Sequence, residues 1–283
     1  MTFFSYFCFL YVTIVVYELK DKRLIMSQNV IEQISELQSM KKYPSELFYK
    51  GNLGLLKRPK VSIVGTRRPS AYTRQFTYAL AQALAKRGVC VVSGAAMGVD
   101  GVAHTGAGEE NTIAVVANGL DIRYPSIHKE IIKNIEDKGL VLSQFNDGFR
   151  ATGWSFVVRN ELVVALGDIL VVTEADLNSG SMRSVEYALK MGKQIYVLPQ
   201  RLGESLGTNQ LLQEENAKVI HSIEDFVSHF GKAVTDTIPK DDFFYFCQTY
   251  PTFDDVVAKF GERVYEAELE GLVTIHEGIV RLN

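Results

Sequence analysis

The sequence predicts an α/β fold in which a doubly wound, mostly parallel sheet carries helices on both faces. One observation is a short, β-branched apolar run at residues 61–64, which ends at Gly65 and is followed by an alanine-rich stretch of helical period at residues 71–84. The second is that this order of strand and helix repeats along the chain to residue 230. Alternating strands and helices form parallel sheets, and such sheets place their ligands at the carboxyl ends of the strands.

The predicted elements follow one another through short turns. Strands are predicted at residues 61–64, 89–94, 112–117, 140–143, 168–175 and 193–199. Helices are predicted at residues 71–84, after residue 100, at 129–138, 159–166 and 183–191, from residue 208, and at 222–230. Ser222 is predicted to be the N-cap of the last of these helices.

Composition bounds the kind of protein. The chain has 283 residues with a net charge of −3, so no global basic field is present and any site for a polyanion must be a local patch. Three scattered cysteines without a C-x-x-C pair predict a reducing cytosol, hence a cytoplasmic location, and neither a disulfide nor a metal site. No cofactor is predicted. The histidines lack ligand spacing, which predicts surface or capping roles for His104, His128, His221, His229 and His276.

The first 25 residues are unlike the rest of the chain. Residues 2–17 are almost wholly apolar, but the run is short for a membrane span and has no features of a signal peptide. We expect that translation starts at Met26 and that residues 1–25 are an upstream extension of the reading frame, so the protein starting at Met26 has no membrane span. A single-pass anchor is the alternative.

The remaining chain divides into four parts. The predicted parts are a lead-in at 26–60, a main domain at 61–230, a linker at 231–239 and a small domain at 240–283. In the lead-in, residues 27–40 have a helix-like pattern, and residues 43–51 predict a segment that adds an edge strand to the sheet.

The small domain has the element order of a winged helix. Helices are predicted at 241–250, 253–260 and 262–270, followed by a hairpin of residues 272–275 and 279–282. It carries four basic against nine acidic residues, and its third helix contains Glu266, Glu268 and Glu270. A winged helix that grips duplex DNA is basic on its recognition helix, so we expect this one to contact protein.

Polar residues suited to an anion follow the first strand. Gly65, Thr66, Arg67 and Arg68 form the turn into the next helix, where free backbone N–H groups and two guanidinium groups favour a phosphate. The alternative is a turn with two solvated arginines. The glycine spacing matches neither the dinucleotide fingerprint nor the P-loop.

Three later segments are candidates for the same site. Ser93 and Gly94 end the second strand, where small residues allow a ligand to approach or merely form a tight turn. Phe156, Arg159 and Asn160 combine a cation with an aromatic face, as single-stranded nucleic acid requires; alternatively Phe156 is core and Arg159 pairs with Glu161 or Glu174. The last segment is a second candidate anion site or a plain capped turn, formed by Ser179, Gly180 and Ser181.

These segments together resemble the DNA-processing protein A (DprA, or Smf) family. The first strand and its turn resemble the opening signature of the family, and residues 43–51 resemble its lead-in. Further runs agree in order and spacing: residues 91–100, residues 118–121 with Tyr124 and Pro125, Phe156 with Arg159 and Asn160, and residues 179–182. The resemblance covers about residues 43–220.

The resemblance implies a function as well as a fold. It implies an extended Rossmann-like domain that binds and protects single-stranded DNA, forms a homodimer and loads the RecA recombinase onto incoming DNA during natural transformation, without catalysis. A winged-helix tail also occurs in the family. The DNA pocket would be formed by Gly65, Thr66, Arg67, Arg68, Ser93, Gly94, Phe156, Arg159, Asn160, Ser179, Gly180 and Ser181.

The chain departs from the family pattern at four positions. Ala95 replaces a second glycine, Gln144 a glutamate and Gln200 a glycine. Glu161 replaces an arginine, and a negative charge beside a phosphate path would weaken binding by about 1 kcal/mol or more. Either Glu161 lies off the path or other basic residues compensate for it.

An enzyme is the alternative function. Phosphoribohydrolases of the lysine-decarboxylase-like type resemble this chain in the turns at Gly65 and at Ser93 and Gly94. Those enzymes carry a Pro-Gly-Gly-x-Gly-Thr turn with a catalytic glutamate nearby. This chain has residues 178–182 in place of that turn, and Glu186 lies deeper in the following helix.

Overall fold

The structure is a computed structural model that describes residues 28–29, 34–230, 242–247, 249, 251–269, 271–276 and 278–282. The predictions for residues 1–25 and for the linker at 231–239 lie outside the described residues. The chain divides into two compact units, Met1–Val234 and Thr235–Asn283. Within the described residues, no helix is both long and apolar enough to cross a membrane.

In the described part of the first unit, nine strands form one sheet. They are β1 Gln28–Asn29, β2 Phe48–Gly51, β3 Lys60–Val64, β4 Cys90–Ser93, β5 Thr112–Val116, β6 Leu140–Ser143, β7 Ile169–Val172, β8 Ile195–Val197 and β9 Lys218–Val219. Their order across the sheet is β1-β2-β6-β5-β4-β3-β7-β8-β9. The pairs β1–β2 and β2–β6 are antiparallel and all other neighbours are parallel. This topology confirms the predicted doubly wound α/β class.

Helices connect the parallel strands. They are α1 Ala71–Lys86, α2 Val99–Ala107, α3 Lys129–Lys138, α4 Gly153–Leu166, α5 Gly180–Lys190, α6 Leu206–Gln213 and α7 Ile223–Ser228. Short 3₁₀ turns lie at Ser35–Ser39, Leu53–Lys57, Glu109–Asn111 and Ser126–His128. Side-chain caps define several helix starts. The predicted cap at Ser222 is confirmed, since its Oγ accepts a hydrogen bond from Asp225 N at 3.1 Å.

The central strands are buried on both faces, as expected for continuous β-branched runs between two layers of helices. Alternate residues of β7 point to opposite sides, so Leu170 packs in one hydrophobic cluster and Val171 in the other. Helices α4 and α5 cover the first face, whereas α1, α2 and α7 cover the second. The sheet is therefore a rigid support for the turns at its edge.

The order of connections determines where a ligand can bind. From β3 the chain continues to β4, β5 and β6 on one side, and then crosses to β7 on the other side of β3. The turns that leave β3, β4 and β7 therefore lie around a topological switch point, where open α/β sheets form a crevice.

The lead-in and two helix boundaries differ from their predictions. The prediction of a helix from the pattern of residues 27–40 is wrong, because residues 28–29 form a strand and Ser35–Ser39 form a 3₁₀ turn. The predicted edge strand is present, since β2 pairs with β6, although β1 lies outside it. Helix α4 begins at Gly153 rather than at Arg159, and α5 begins at Gly180 rather than at Arg183.

The second unit has its own small core. It contains α8 Asp242–Cys247, α9 Phe253–Phe260, α10 Arg263–Leu269 and the antiparallel hairpin of β10 Val273–His276 and β11 Ile279–Leu282. Its buried residues include Phe243, Val256, Val264, Val273 and Val280. This is the predicted order of elements, and the assignment as a winged helix stays a prediction.

Candidate functional site

An open cleft of about 450 Å³ lies at the carboxyl ends of the central strands. Its walls are the turns after β3, β4 and β7 together with the first turns of α4 and α5. The lining residues are Val64, Gly65, Thr66, Arg67, Gly94, Ala96, Asp100, Gly153, Phe156, Val157, Arg159, Asn160, Val163, Ser179, Gly180, Ser181, Arg183 and Ser184.

The cleft brings together ten of the twelve residues predicted from the sequence. Ser93 and Arg68 are not among its lining residues. Ser93 is fully buried and its Oγ donates a hydrogen bond to Ile63 O at 2.7 Å, which ties β4 to β3. Arg68 is exposed, and its backbone N–H donates to Thr66 Oγ1 at 3.2 Å.

The turn after β3 is held by Glu174, at the end of β7. Thr66 N donates to Glu174 O at 2.8 Å, and the carboxylate of Glu174 accepts from both N and Oγ of Ser70 at 3.0 Å. The exposed Arg67 side chain extends from this anchored turn, and its Cζ lies 5.2 Å from the ring centroid of Phe156. A cation therefore lies over an aromatic face at the cleft.

The turn before α2 packs closely on the turn after β3. Val99 N donates to Thr66 O at 3.1 Å, and Gly98 has φ +82°. A Cβ built on Gly98 would lie 2.4 Å from Thr66 O, so only glycine allows this approach. The two turns are consequently one packed unit.

Arg159 lies beneath the cleft with 4% of its surface exposed. Its guanidinium donates to the carbonyl oxygens of Gly94 and Val115, the latter at 2.7 Å, and to Asn160 Oδ1 at 3.1 Å. The alternative ion pairs with Glu161 or Glu174 are wrong. Arg159 holds the floor of the cleft and is not a solvated phosphate ligand in this conformation.

Asp100 and Arg159 are buried charges of opposite sign. Burial raises the pKa of the Asp100 carboxyl, while Arg159 and a hydrogen bond from Ala96 N at 3.1 Å act in the opposite direction. The pKa of the Arg159 guanidinium is lowered to about 10, chiefly by burial. The negative charge of Asp100 acts to raise this pKa, and the positive charge of Arg67 acts to lower it further. Each charge thus depends on the other.

The first turn of α4 supplies the aromatic wall. A capping box fixes its start, since Ser155 N donates to Thr152 Oγ1 at 3.3 Å and Thr152 N to Ser155 Oγ at 2.8 Å. Phe156 follows directly and is half-buried, with the ring of Tyr124 at 6.2 Å between centroids. The guanidinium carbon of Arg159 lies 5.7 Å from the centroid of the same ring.

The start of α5 faces the cleft from the other side. Its N-cap, Ser179, makes no side-chain capping bond, and the buried Ser179 Oγ has no hydrogen-bond partner among the described residues. The first backbone N–H groups of a helix lack intrahelical acceptors, so this end favours an anion. Arg183, in the first turn, adds a positive charge and pairs with Glu186 at 2.9 Å.

Asp100 and Arg183 line the cleft, but the sequence analysis does not identify them as site residues. Arg183 was placed at a helix start, but its position toward the cleft follows only from the earlier start of α5 at Gly180. Asp100 lies within a run that carries the family resemblance, and a carboxylate beside predicted anion-binding turns was a usable signal.

The predicted surface or capping role of His104, on α2, is wrong. This histidine is 2% exposed, and its Nδ1 lies 2.7 Å from Thr112 Oγ1. Burial, with the nearby charges of His128 and Arg159, lowers the pKa of His104 to about 3.

The structure contains no cluster of three metal-ligating side chains among its described residues.

The four departures from the family pattern have distinct surroundings. Glu161 does not line the cleft, and its Oε1 accepts from Lys41 N at 3.0 Å. Ala95 is buried with φ +56°, a conformation that favours glycine. Gln200 donates to Thr173 O at 2.8 Å, whereas Gln144 Nε2 is buried without a partner among the described residues. The location of Glu161 agrees with a position off the ligand path.

Comparison with known proteins identifies the family. The model of the DNA recombination-mediator protein A family matches residues 27–231, which is most of the chain. The chain belongs to this family. The predicted resemblance to DprA and Smf proteins is thereby confirmed.

Members of the DNA recombination-mediator protein A family with curated descriptions share about a third of its residues. The DNA processing protein DprA of Streptococcus pneumoniae is 37% identical over 191 residues, 66% of this chain and 67% of that protein. A putative DprA of Mycobacterium tuberculosis is 36% identical over 181 residues, which are 62% of this chain and 46% of that protein. The match thus spans about two thirds of the pneumococcal protein and less than half of the mycobacterial one.

Solved structures of family members have the same fold. DNA processing protein A from Helicobacter pylori superposes with a TM-score of 0.70 at 41% identity, covering 71% of this chain and 94% of that one. DprA from Streptococcus pneumoniae superposes with a TM-score of 0.67 at 34% identity, and the match covers 72% of this chain and 74% of that one.

Proposed function

We propose that this chain is a single-stranded DNA-binding protein of natural transformation, which protects incoming single strands and loads the RecA recombinase onto them. The observation that carries the proposal is the Arg67 guanidinium 5.2 Å from the Phe156 ring, at a cleft that also faces the start of α5. A cation for phosphate beside an aromatic face for a base is what non-specific single-strand binding requires.

The composition of the cleft favours a single strand over a duplex. In a duplex the faces of the bases are covered by stacking on their neighbours, so Phe156 could not reach them. An unpaired base offers a free face, while Arg67, Arg183 and the first N–H groups of α5 supply charge for the adjoining phosphates. The relative from Helicobacter pylori supports this proposal, because its structure was described for a single-stranded DNA binding mode.

Catalysis is not part of the proposed role. The glutamate that an enzyme of the phosphoribohydrolase type would use corresponds most nearly to Glu186, which is exposed, pairs with Arg183 and does not line the cleft. Asp100 does line the cleft, but it is buried under opposing charge and hydrogen-bonded to Ala96 N. We further propose that the protein acts in the cytoplasm as a homodimer.

The test is binding of the protein to a fluorescent oligothymidine and to the matching duplex across a salt series. We expect tighter binding to the single strand, with an affinity that falls as salt rises because phosphate contacts release counterions. Assembly of RecA filaments on the same strand, with and without the protein, tests the loading role. A folded protein that binds neither DNA would overturn the proposal and make nucleoside monophosphates the next ligands to test.

A further inference from the structure

The chain's one tryptophan, Trp154, is 64% exposed and lies directly beside the cleft. It occupies the first turn of α4, between Gly153 and Phe156, which both line the cleft. Val157, one helical turn further on, also lines the cleft and is 40% exposed. Side chains three residues apart on a helix are neighbours, so the indole continues the cleft wall outward.

Two aromatic rings support this indole. Trp154 meets Phe145 edge to face at 5.9 Å and 72°, and Phe145 stacks on Phe149 at 4.5 Å and 11°. The loop that carries these two phenylalanines is tied to the turn after β5, since Gly119 N donates to Phe149 O at 2.9 Å. With most of its surface exposed, the indole keeps at least one face open while its orientation is held from below.

A free cation lies four residues before the tryptophan. Arg150 is exposed and, within the described part of the chain, makes no hydrogen bond or ion pair. An aromatic face next to an uncommitted guanidinium repeats, outside the cleft, the combination that Arg67 and Phe156 present within it. Neither Trp154 nor Arg150 is among the residues that line the cleft.

We propose that Trp154 and Arg150 form a second contact for the same DNA strand, in which the indole stacks on a base outside the cleft and Arg150 binds an adjoining phosphate. The inference rests on the proposed function and extends its site from one cleft to a track along the start of α4. The occupant is an unpaired nucleotide because its base has a free face and its phosphate a charge, which match the two side chains.

Tryptophan fluorescence tests this contact directly, because the chain has one tryptophan. We expect an oligothymidine of roughly 16 nucleotides, long enough to leave the cleft, to quench the fluorescence of Trp154. A thymidine dinucleotide that occupies only the cleft should quench it much less. Equal emission with and without saturating long oligonucleotide would overturn the inference.

Variants supply the second measurement, with affinity for labelled oligothymidine read by anisotropy. Trp154→Ala should weaken binding of the long strand by roughly 5- to 150-fold, the range for one stacked base, whereas Trp154→Phe should retain most of the affinity. Arg150→Ala should reduce the slope of log affinity against log salt concentration by about 1, which corresponds to the loss of one phosphate contact.

Matched controls lie away from the cleft. Tyr78→Ala removes a 43% exposed aromatic side chain from α1, and Lys190→Ala removes a cation from the far end of α5, about 15 Å along that helix from its first residue. Both should bind like the wild type, and circular dichroism verifies that every variant folds.

The two proposals fail differently. If the wild type binds no single strand, the proposed function falls. If the wild type binds and Arg67→Ala weakens binding, but Trp154→Ala and Arg150→Ala match the controls, only the second contact is overturned.

Discussion

The guanidinium of Arg159 donates a hydrogen bond to the carbonyl oxygen of Gly94, directly beneath the turn that follows β4. A Cβ built on Gly94 would lie 2.5 Å from Arg159 Cζ, so the glycine is required for the arginine to reach its place. The sequence assigned both residues to DNA contact. In the structure they hold each other, and their first role is to maintain the shape of the cleft.

Replacing Arg159 should therefore destabilise the protein itself. Arg159→Met leaves the Asp100 carboxyl and the carbonyls of Gly94 and Val115 buried without their cation. Breaking one side of a buried charge pair costs about 3–5 kcal/mol of unfolding free energy. Urea denaturation near neutral pH measures the loss. Arg67→Met, at an exposed position, is the control and should change stability by no more than about 0.5 kcal/mol.

Arg67 and Arg68 should differ in their contribution to DNA binding, although they are adjacent. Only Arg67 lines the cleft and lies over Phe156. Arg67→Ala should weaken oligothymidine binding by about 1–3 kcal/mol and lower the salt dependence, while Arg68→Ala should have a clearly smaller effect. Anisotropy titrations at several salt concentrations compare them. Equal losses would show that the strand contacts the outer turn rather than the cleft.

His104 should make the protein sensitive to acid. Thr112 Oγ1 donates its proton to Val91 O at 2.9 Å, so the His104 ring donates from Nδ1, and Nε2 is buried without a partner among the described residues. The pKa of His104 is lowered from 6.5 to about 3, so its stabilising contribution is complete above about pH 6.5 and is lost as the pH falls toward about 3.

The variant His104→Leu isolates this contribution. Unfolding should take up roughly one proton fewer than in the wild type between those two pH values, so stability falls less steeply with acid. Urea denaturation at a series of pH values gives the slopes. His221→Leu, at a histidine whose side chain is 78% exposed, is the matched control and should leave the slope unchanged. Parallel slopes for the wild type and His104→Leu would contradict the assignment.

Most of the fold could be predicted from local sequence patterns. The runs at β3 to β8 are apolar, mostly buried and separated by stretches of helical pattern, so their order and class could be predicted from the sequence. The lead-in was less predictable. Polar residues 27–40 fit a helix by pattern, yet pairing with β2 makes residues 28–29 a strand, and tertiary pairing of this kind leaves no periodic signal.

The site was predictable in location but not in the roles of its residues. Glycines and polar residues after strands indicate where a cleft forms, and ten of the twelve predicted residues line it. Whether a side chain faces solvent or the interior depends on neighbours distant in sequence. Ser93 bonds to Ile63 O and Arg159 to Val115 O, contacts that span 30 and 44 residues and follow from strand pairing. Burial of His104 has the same origin.

Removal of the C-terminal unit should leave single-strand binding largely intact. Every residue that lines the cleft belongs to Met1–Val234, and the removed residues 240–283 carry more acidic than basic charge. A chain ending at residue 239 should therefore bind oligothymidine within about threefold of the full chain, a difference below 1 kcal/mol. Anisotropy at low and at physiological salt measures both, and thermal unfolding verifies that the truncated chain is folded. A folded truncate with a large loss of affinity would place part of the strand on the C-terminal unit and would assign that unit to DNA instead of to a protein partner.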